Sequence, residues 1–367
     1  MRPVSSILTN PWRPKGLHAL TDADVSVDAG RVQELLLRCP VAGVTALLDS
    51  PDMAAALGVE HLWIKDERDR MGLGSFKALG AAYVIAREAD ARFEGNWDRT
   101  PEAVSGVLTD VTYVTASAGN HGLSLAAGAR VFGANAVIVL SVNVPEGFAQ
   151  RLLQFGARVV REGIDYEASM TASRALAEEQ GWTLLSDSSW PGYTDIPRTV
   201  MEGYLVMGAE AAEQVEAIAH PPTHLFLQAG VGGLAASMAA FARHQWGDDP
   251  VIVVVEPDRA PCLAESIRAG RAVRADGPAS NMGRLDAKEP SHLALLALAR
   301  DADLFVTISD EEALDTVRFL DEHGIATTPS GAAGVAGLQH AGRDRQRMLL
   351  DGSSRVLTFV SEGLEPG

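Results

Sequence analysis

The sequence predicts an α/β protein built on a mostly parallel sheet, and two observations support this. Short apolar runs alternate with amphipathic stretches along the chain, which is the pattern of repeated strand–helix units. The 367 residues are 47% hydrophobic, which is enough for a large core. We expect a large domain made of residues 1–105 and 190–367, with a smaller inserted α/β domain over residues 106–189.

The strands are predicted from short apolar runs bounded by turn residues. In chain order they cover residues 61–65, 111–115, 136–140, 157–160, 225–228, 251–256, 304–309 and 356–363.

Helices are predicted where amphipathic stretches follow these strands. They cover residues 75–87, the stretch after the glycine turn at 116–122, residues 145–155, a stretch from Leu234, and a stretch after Asp310 as its N-cap. Residues 270–290 are rich in glycine, alanine and charge, so we predict a long loop that contacts substrate or acts as a lid.

Composition narrows the class of function. A formal net charge of −17 argues against nucleic acid or an anionic membrane as the partner. We see neither a leader peptide nor an apolar run near the ~20 residues of a membrane span, so we expect a cytoplasmic protein. Cys39 and Cys262 are expected to be reduced thiols, and the scattered histidines predict no metal site.

A lysine lies at the start of the predicted 75–87 helix, in the segment GLGSFKALG. Ligands bind at the strand ends of such sheets, which is where Lys77 is expected. A lysine amine forms a Schiff base with a carbonyl compound once burial or a nearby cation lowers its pKa. Lys77 is therefore a candidate site of covalent cofactor attachment, although an arbitrary helix lysine is usually solvated.

Two glycine turns at predicted helix starts can bind anions. In TASAGNHG (115–122) the backbone N–H groups are suited to a carboxylate or phosphate, and Asn120 could hydrogen-bond a ring hydroxyl. In QAGVGGLA (228–235) strand, glycine loop and helix form a cradle for a single phosphate. The second turn lacks the glycine spacing of nucleotide-binding motifs, and either could be an ordinary strand–helix turn.

A fourth segment, TTPSGAAG (327–334), places Ser330 before another glycine turn. Its hydroxyl is predicted to hydrogen-bond a neutral ring nitrogen. A hydroxyl does not protonate a pyridine as a carboxylate does, and this favours elimination at the β-carbon over transamination.

The order SFK, SAGNHG, GVGG and PSGA resembles the fold-type II pyridoxal 5′-phosphate enzymes, the superfamily of tryptophan synthase β and threonine dehydratase. Within it, the chain is most similar to the diaminopropionate ammonia-lyases. The shared segments include KDE-R-GL-SFK (65–77), D-SW-GYTDIP (187–197) and SEG (361–363). The resemblance covers roughly residues 45 to 363.

The resemblance implies a lyase that uses pyridoxal 5′-phosphate, acts on a small amino acid and forms a homodimer. Lys77 and Asp187 would be catalytic. The residues that would bind the cofactor are Lys77, Phe76, Asn120, Gly230, Val231, Gly232, Gly233, Leu234 and Ser330. Those that would contact substrate are Ser117, Ala118, Gly119, His121 and Tyr193.

Two positions depart from these lyases. They carry Asp directly before GNH, where this chain has Ala118, and alanine cannot exchange a proton. We therefore expect only the face served by Lys77 to react, with preference for one enantiomer, the L form, and no racemisation. The family cysteine expected at Ala287 is also absent, so no disulfide from Cys262 is expected.

The predicted reaction is elimination of ammonia from 2,3-diaminopropionate to give pyruvate, with Asp187 facing the β-ammonium group. The alternative role of Asp187 is to cap a turn in SDSSW. The alternative reactions are dehydration of serine, threonine or 3-hydroxyaspartate, and β-replacement of the cysteine synthase type. A binding protein that has lost catalysis is the non-enzyme alternative.

Overall fold

The structure is a computed structural model that describes residues 7–18, 24–39, 41–93, 104–218 and 220–364. Its strands form two sheets. The seven-stranded sheet has the order β1-β10-β9-β8-β11-β3-β2 and the four-stranded sheet the order β6-β5-β4-β7. The strands are β1 Ile7–Thr9, β2 Leu47–Asp49, β3 His61–Asp66, β4 Thr112–Ala116, β5 Asn135–Leu140, β6 Arg158–Arg161, β7 Thr183–Leu184, β8 His224–Gln228, β9 Val251–Pro257, β10 Leu304–Ile308 and β11 Arg355–Val360.

Helices connect these strands and cover the sheets. They are α1 Gly30–Leu36, α2 Pro51–Leu57, α3 Gly80–Arg92, α4 Asn120–Phe132, α5 Glu146–Gln154, α6 Tyr166–Gln180, α7 Asp195–Gly203, α8 Leu205–Glu216, α9 Gly233–Trp246, α10 Cys262–Ala269, α11 His292–Asp301, α12 Asp310–Asp321, α13 Pro329–Ala341 and α14 Arg345–Met348.

The predicted α/β class is confirmed: the four-stranded sheet is parallel throughout, and the seven-stranded sheet has parallel central strands and antiparallel edges. The edge strands β1 and β2 each pair antiparallel with their neighbour. Strand β9 shows why the centre is so apolar. Ile252 and Val254 pack into one core cluster, while Val253 and Val255 pack into another on the opposite face. Since successive side chains of a strand point to opposite faces, a sheet covered on both sides needs a continuous apolar run.

Several element boundaries differ from the sequence prediction, including the end of β11 at Val360 instead of residue 363 and the starts of two helices. The stretch after Ser75 begins as a 3₁₀ turn, Phe76–Leu79, and α3 starts only at Gly80. Helix α12 is capped by Ser309 rather than Asp310, because the Ser309 hydroxyl accepts the N–H of Glu312 and the Glu312 carboxylate accepts the N–H of Ser309. Asp310 is instead the first residue of that helix.

A buried ion network holds the loop that leads from β3 to Lys77. The Arg70 guanidinium, with its side chain fully buried, bonds the carboxylates of Glu67 and Glu210, each at 2.7 Å. Lys65 Nζ lies 2.7 Å from Glu210 as well. Two cations and two anions therefore balance inside the protein, as buried charges require, and tie this loop to α8.

Candidate active site

A cavity of about 870 Å³ lies where strands of both sheets end. Its wall includes the residues that follow β4, β7, β8 and β11, so the carboxyl ends of parallel strands converge on it, as is usual for ligand sites in such sheets. Of the predicted site residues, those lining it are Phe76, Lys77, Ser117, Ala118, Gly119, Asn120, His121, Asp187, Gly230, Val231, Gly232, Gly233 and Leu234.

Lys77 lies on the 3₁₀ turn that follows the loop held by the ion network. Two contacts pin this turn to the end of β11. Ser75 forms a bridge with Glu362, and the N–H of Phe76 donates to the carbonyl of Ser361 at 3.0 Å. The Lys77 amine lies 2.6 Å from an Asp187 oxygen and 5.2 Å from the centre of the Phe76 ring. The one lysine predicted for covalent attachment thus faces the cavity.

The pKa of Lys77 is shifted in the direction opposite to the sequence expectation. Burial by itself lowers the pKa of this amine, but the Asp187 carboxylate and the Tyr204 hydroxyl outweigh burial, so the pKa lies above its ordinary value. Burial likewise raises the pKa of Asp187, and the nearby Lys77 ammonium overcomes it, leaving that pKa below its usual range. Without a cofactor, Lys77 is therefore an ammonium paired with a carboxylate.

The glycine loop after β8 fits a phosphate. Residues 229–232 lead from this strand into α9, whose first N–H groups have no acceptor within the helix. Gly232 has φ +104°, a conformation that L side chains rarely adopt. The amides and the Lys77 amine line the same cavity, so a compound with an aldehyde and a phosphate could reach both.

We expect Gly232→Ala to destabilise the protein and Gly233→Ala not to. Two features strain an alanine at residue 232: the positive φ, and a Cβ that would lie 3.0 Å from Ala294 Cβ. A Cβ on Gly233 would meet nothing nearer than 3.7 Å. The cost at residue 232 is about 1–2 kcal/mol. Thermal unfolding of both variants measures it, and equal melting temperatures would contradict the argument.

Asn120 and the loop before it form another part of the cavity wall. The Asn120 side chain donates to a Glu362 oxygen at 2.6 Å, and the Thr328 hydroxyl donates to the other oxygen. The Ser117 hydroxyl accepts the N–H of Gly122 at 3.0 Å and so braces its own turn. Ala118 is exposed to the cavity.

The structure does not bring Ser330 or Tyr193 to the cavity wall. The Ser330 hydroxyl accepts the N–H of Arg284 at 3.1 Å. The Tyr193 hydroxyl donates to the carbonyl of Leu184 and accepts the N–H of Ser186. In both cases the hydroxyl that was predicted to meet a ligand is hydrogen-bonded to the protein backbone.

Sequence reasoning missed several wall residues. Ser361 and Glu362 belong to the SEG segment, whose pattern alone indicates no role, and both are buried in the wall. Tyr166, Met170 and Arg174 face it from α6, and their spacing of four is the signal that one helix face points there. The 270–290 loop contributes Arg274 and residues 283–289 to the wall, so its predicted contact with substrate stays a prediction.

Within the described ranges, no group of three or more His, Cys, Asp and Glu side chains could hold a metal ion. Across the same residues, every helix is too short or too polar to span a bilayer. Cys39 and Cys262 are both free thiols.

Comparison with known proteins identifies the family. The model of the family described as pyridoxal-phosphate dependent enzyme matches residues 39–362. The chain belongs to the pyridoxal-phosphate-dependent enzymes. The predicted cofactor, pyridoxal 5′-phosphate, is thereby confirmed, and the cavity fits it because an amine, a phosphate cradle and buried polar groups line one space.

Relatives within this family agree with the finer resemblance. The diaminopropionate ammonia-lyase of Salmonella typhimurium is 31% identical over 94% of this chain and 92% of its own, and that of Escherichia coli is 31% identical over 87% and 84%. A crystal structure of the Escherichia coli enzyme in complex with D-serine has a TM-score of 0.87 and 27% identity, and covers 97% of this chain and 93% of that one. The predicted fold type II is confirmed by this similarity.

Proposed function

We propose that this pyridoxal-phosphate-dependent enzyme eliminates ammonia from 2,3-diaminopropionate, so that substrate and water yield pyruvate and two molecules of ammonia. The observation that supports this is the Asp187 carboxylate, 2.6 Å from the Lys77 amine in the cavity. A carboxylate beside the reactive amine suits a substrate that carries a second ammonium group.

The cofactor would be held by residues of three segments. Lys77 would attach it covalently, the amides of residues 230–234 would bind its phosphate, and Phe76 would pack against its ring. When bound, pyridoxal 5′-phosphate withdraws electrons from the Cα of an amino acid and so acidifies the Cα proton. Asn120 has one N–H engaged by Glu362, which leaves its second N–H for the ring hydroxyl.

Ser361 takes the role that the sequence assigned to Ser330. Both are hydroxyls, but Ser361 lines the cavity and is 5% exposed, whereas Ser330 lies outside the wall. We propose that the Ser361 hydroxyl faces the ring nitrogen. The expected preference for elimination over transamination is then unchanged, because it depends on a hydroxyl rather than on a particular residue.

The acid–base work falls to Lys77 and Asp187. Lys77 would act as the general base that takes the Cα proton of the substrate. Asp187 pairs with the β-ammonium group and orients it for departure. In the cofactor-free protein the Lys77 ammonium holds the pKa of Asp187 below its usual range, and a substrate β-ammonium at the same place would keep this carboxylate ionised in the same way.

A second candidate is dehydration of serine or threonine, because the SAGNH loop around Ala118 matches the threonine dehydratase pattern. Dehydration of 3-hydroxyaspartate and β-replacement of the cysteine synthase type are two further reactions that the same cofactor could support. To separate them, the purified enzyme is given 2,3-diaminopropionate, L-threonine, 3-hydroxyaspartate, or sulfide with an activated serine. Pyruvate and ammonia from the first substrate support the proposal, and turnover of L-threonine alone would refute it.

The enzyme should act on L-2,3-diaminopropionate at least about a hundredfold faster than on the D form. Ala118 lines the cavity but has no group that exchanges a proton, so Lys77 is left as the base. Chirally pure substrates measure the ratio. Ala118→Asp should raise turnover of the D form. Ala118→Asn should not, because asparagine has the size of aspartate but no basic group. Equal rates for both isomers in the unmodified enzyme would contradict the argument.

The domain organisation and the assembly state belong to the same proposal. We propose that residues 106–189, which include the four-stranded sheet, form the inserted domain within residues 1–105 and 190–367.

We also propose a cytoplasmic homodimer with a small amino acid as substrate, and without nucleic acid or membrane partners. The net charge of −17 supports the exclusion of nucleic acid. Size-exclusion chromatography with light scattering tests the dimer.

A further inference from the structure

We infer that Tyr193, outside the cavity wall, is a positioning residue that holds the segment carrying Asp187 against Lys77. The inference rests on the proposed function for its catalytic meaning, but the contacts it describes are hydrogen bonds between the Tyr193 hydroxyl and the backbone. The sequence predicts that Tyr193 touches substrate, whereas its hydroxyl reaches the backbone directly before Asp187.

A tight turn directs the Tyr193 ring back toward this segment. Residues 190–193 read WPGY, and the N–H of Tyr193 donates to the carbonyl of Trp190 at 2.9 Å. Gly192 has φ +89°, and proline followed by a glycine with positive φ is the pattern of a type II turn. The two aromatic rings stack with centroids 4.4 Å apart and planes at 17°. The turn and the stacking together fix the position of the phenol.

The phenol hydroxyl is both a donor and an acceptor to this segment. It donates to the carbonyl of Leu184 at 2.7 Å and accepts the N–H of Ser186 at 3.0 Å. These groups flank Leu185, beyond the end of β7. One hydroxyl therefore bridges two peptide units and sets the direction in which the chain reaches residue 187.

His121 holds the same segment from the other side. Its Nε2 lies 2.9 Å from the carbonyl of Leu185, and since a carbonyl only accepts, this nitrogen carries the proton. Burial lowers the pKa of His121, which keeps the ring neutral. The N–H of Leu185 donates to the carbonyl of Val114 at 2.9 Å. The backbone before Asp187 is thus tied on three sides, to β4, to α4 and to the 190–193 turn.

The position of this segment matters because the ion pair between Asp187 and Lys77 weakens as the two groups move apart. Asp187 and Lys77 meet at 2.6 Å in a partly buried site, where Coulomb attraction is stronger than in water. The ionisable groups around the Lys77 amine are Asp187, Tyr204, His121 on α4 and Tyr166 on α6. Only Asp187 is an anion in this set. If its carboxylate moves away from the Lys77 amine, the pKa of Lys77 therefore falls.

The test is the titration of Lys77 in Tyr193→Phe, which keeps the stacked ring and removes only the hydroxyl. The chain has four lysines, Lys15, Lys65, Lys77 and Lys288, so NMR of 15N-labelled side chains resolves them in the full-length, cofactor-free protein. We expect the titration midpoint of Lys77 to fall by about one pH unit or more in Tyr193→Phe. The fall in Asp187→Asn should be larger, because that variant removes the charge altogether. In the double variant the fall should equal that of Asp187→Asn alone.

Tyr113→Phe is the matched control, because the Tyr113 hydroxyl bonds Glu88 away from the cavity. It should leave the Lys77 midpoint unchanged. An unchanged midpoint in folded Tyr193→Phe, or an effect that adds fully to Asp187→Asn, overturns the inference. If Tyr193→Phe does not fold, Gly192→Ala, which strains the positive φ of the turn that positions the phenol, is judged by the same criteria. Since no substrate is used, failure here is distinct from failure of the proposed reaction.

Discussion

Lys77→Ala is expected to lose both the absorbance of the bound cofactor as a Schiff base and turnover of every substrate. The side chain is the amine that lines the cavity together with the 230–234 loop, and the same amine is the proposed base. Losing covalent attachment and proton transfer together should lower kcat on the order of 10³-fold or more. An absorbance scan of the purified variant and a pyruvate assay measure the two effects.

Lys288→Ala is the matched control, since Lys288 also lines this cavity but is bound by Asp286 at 2.6 Å and by backbone carbonyls. It should keep the yellow colour of the enzyme. A yellow and active Lys77→Ala protein would refute the attachment site, and with it the proposed mechanism.

Asp187→Asn should cut kcat/KM for 2,3-diaminopropionate roughly a hundredfold, which corresponds to about 3 kcal/mol for removing one partner of a buried charge pair. Asparagine has nearly the same shape but no charge to pair with the β-ammonium group. The loss for L-serine, which lacks this ammonium, should be much smaller. Steady-state kinetics with both substrates measure the difference.

Asp165→Asn serves as the control for this substitution. Asp165 lines the same cavity, but its side chain caps α6 by accepting the N–H of Ala168. Asparagine is as good a cap as aspartate, so most activity should remain. An equal loss for both substrates in Asp187→Asn would show that this carboxylate acts on Lys77 alone and does not select a diamino acid.

Much of the fold could be predicted because the central strands are long apolar runs with glycine turns after them. Strands β3, β5, β8 and β9 lie within one residue of their predicted ends. The edge strands β1 and β2 were missed, since three residues give too short a pattern to recognise. The cap of α12 was placed one residue late because Ser309 and Asp310 are both good caps, and only the position of Glu312 decides between them.

The sequence by itself indicated the cofactor, because four motifs in order resemble those of one enzyme family. It also predicted the anchoring points, Lys77 and the 230–233 loop, since covalent attachment needs an amine and phosphate binding needs a run of backbone N–H groups at a helix start. The amine and the glycine loop are recognisable from a few consecutive residues, and folding changes their position but not their chemistry.

Tertiary structure alone decided which side chains meet. Asp187 and Lys77 are 110 residues apart, and Asn120 and Glu362 are 242 apart. It also decided that Ser361 rather than Ser330 lines the cavity, and that the Tyr193 hydroxyl binds backbone. The physical reason is that side-chain direction at a shared cavity depends on how distant segments pack, and residue type does not encode it.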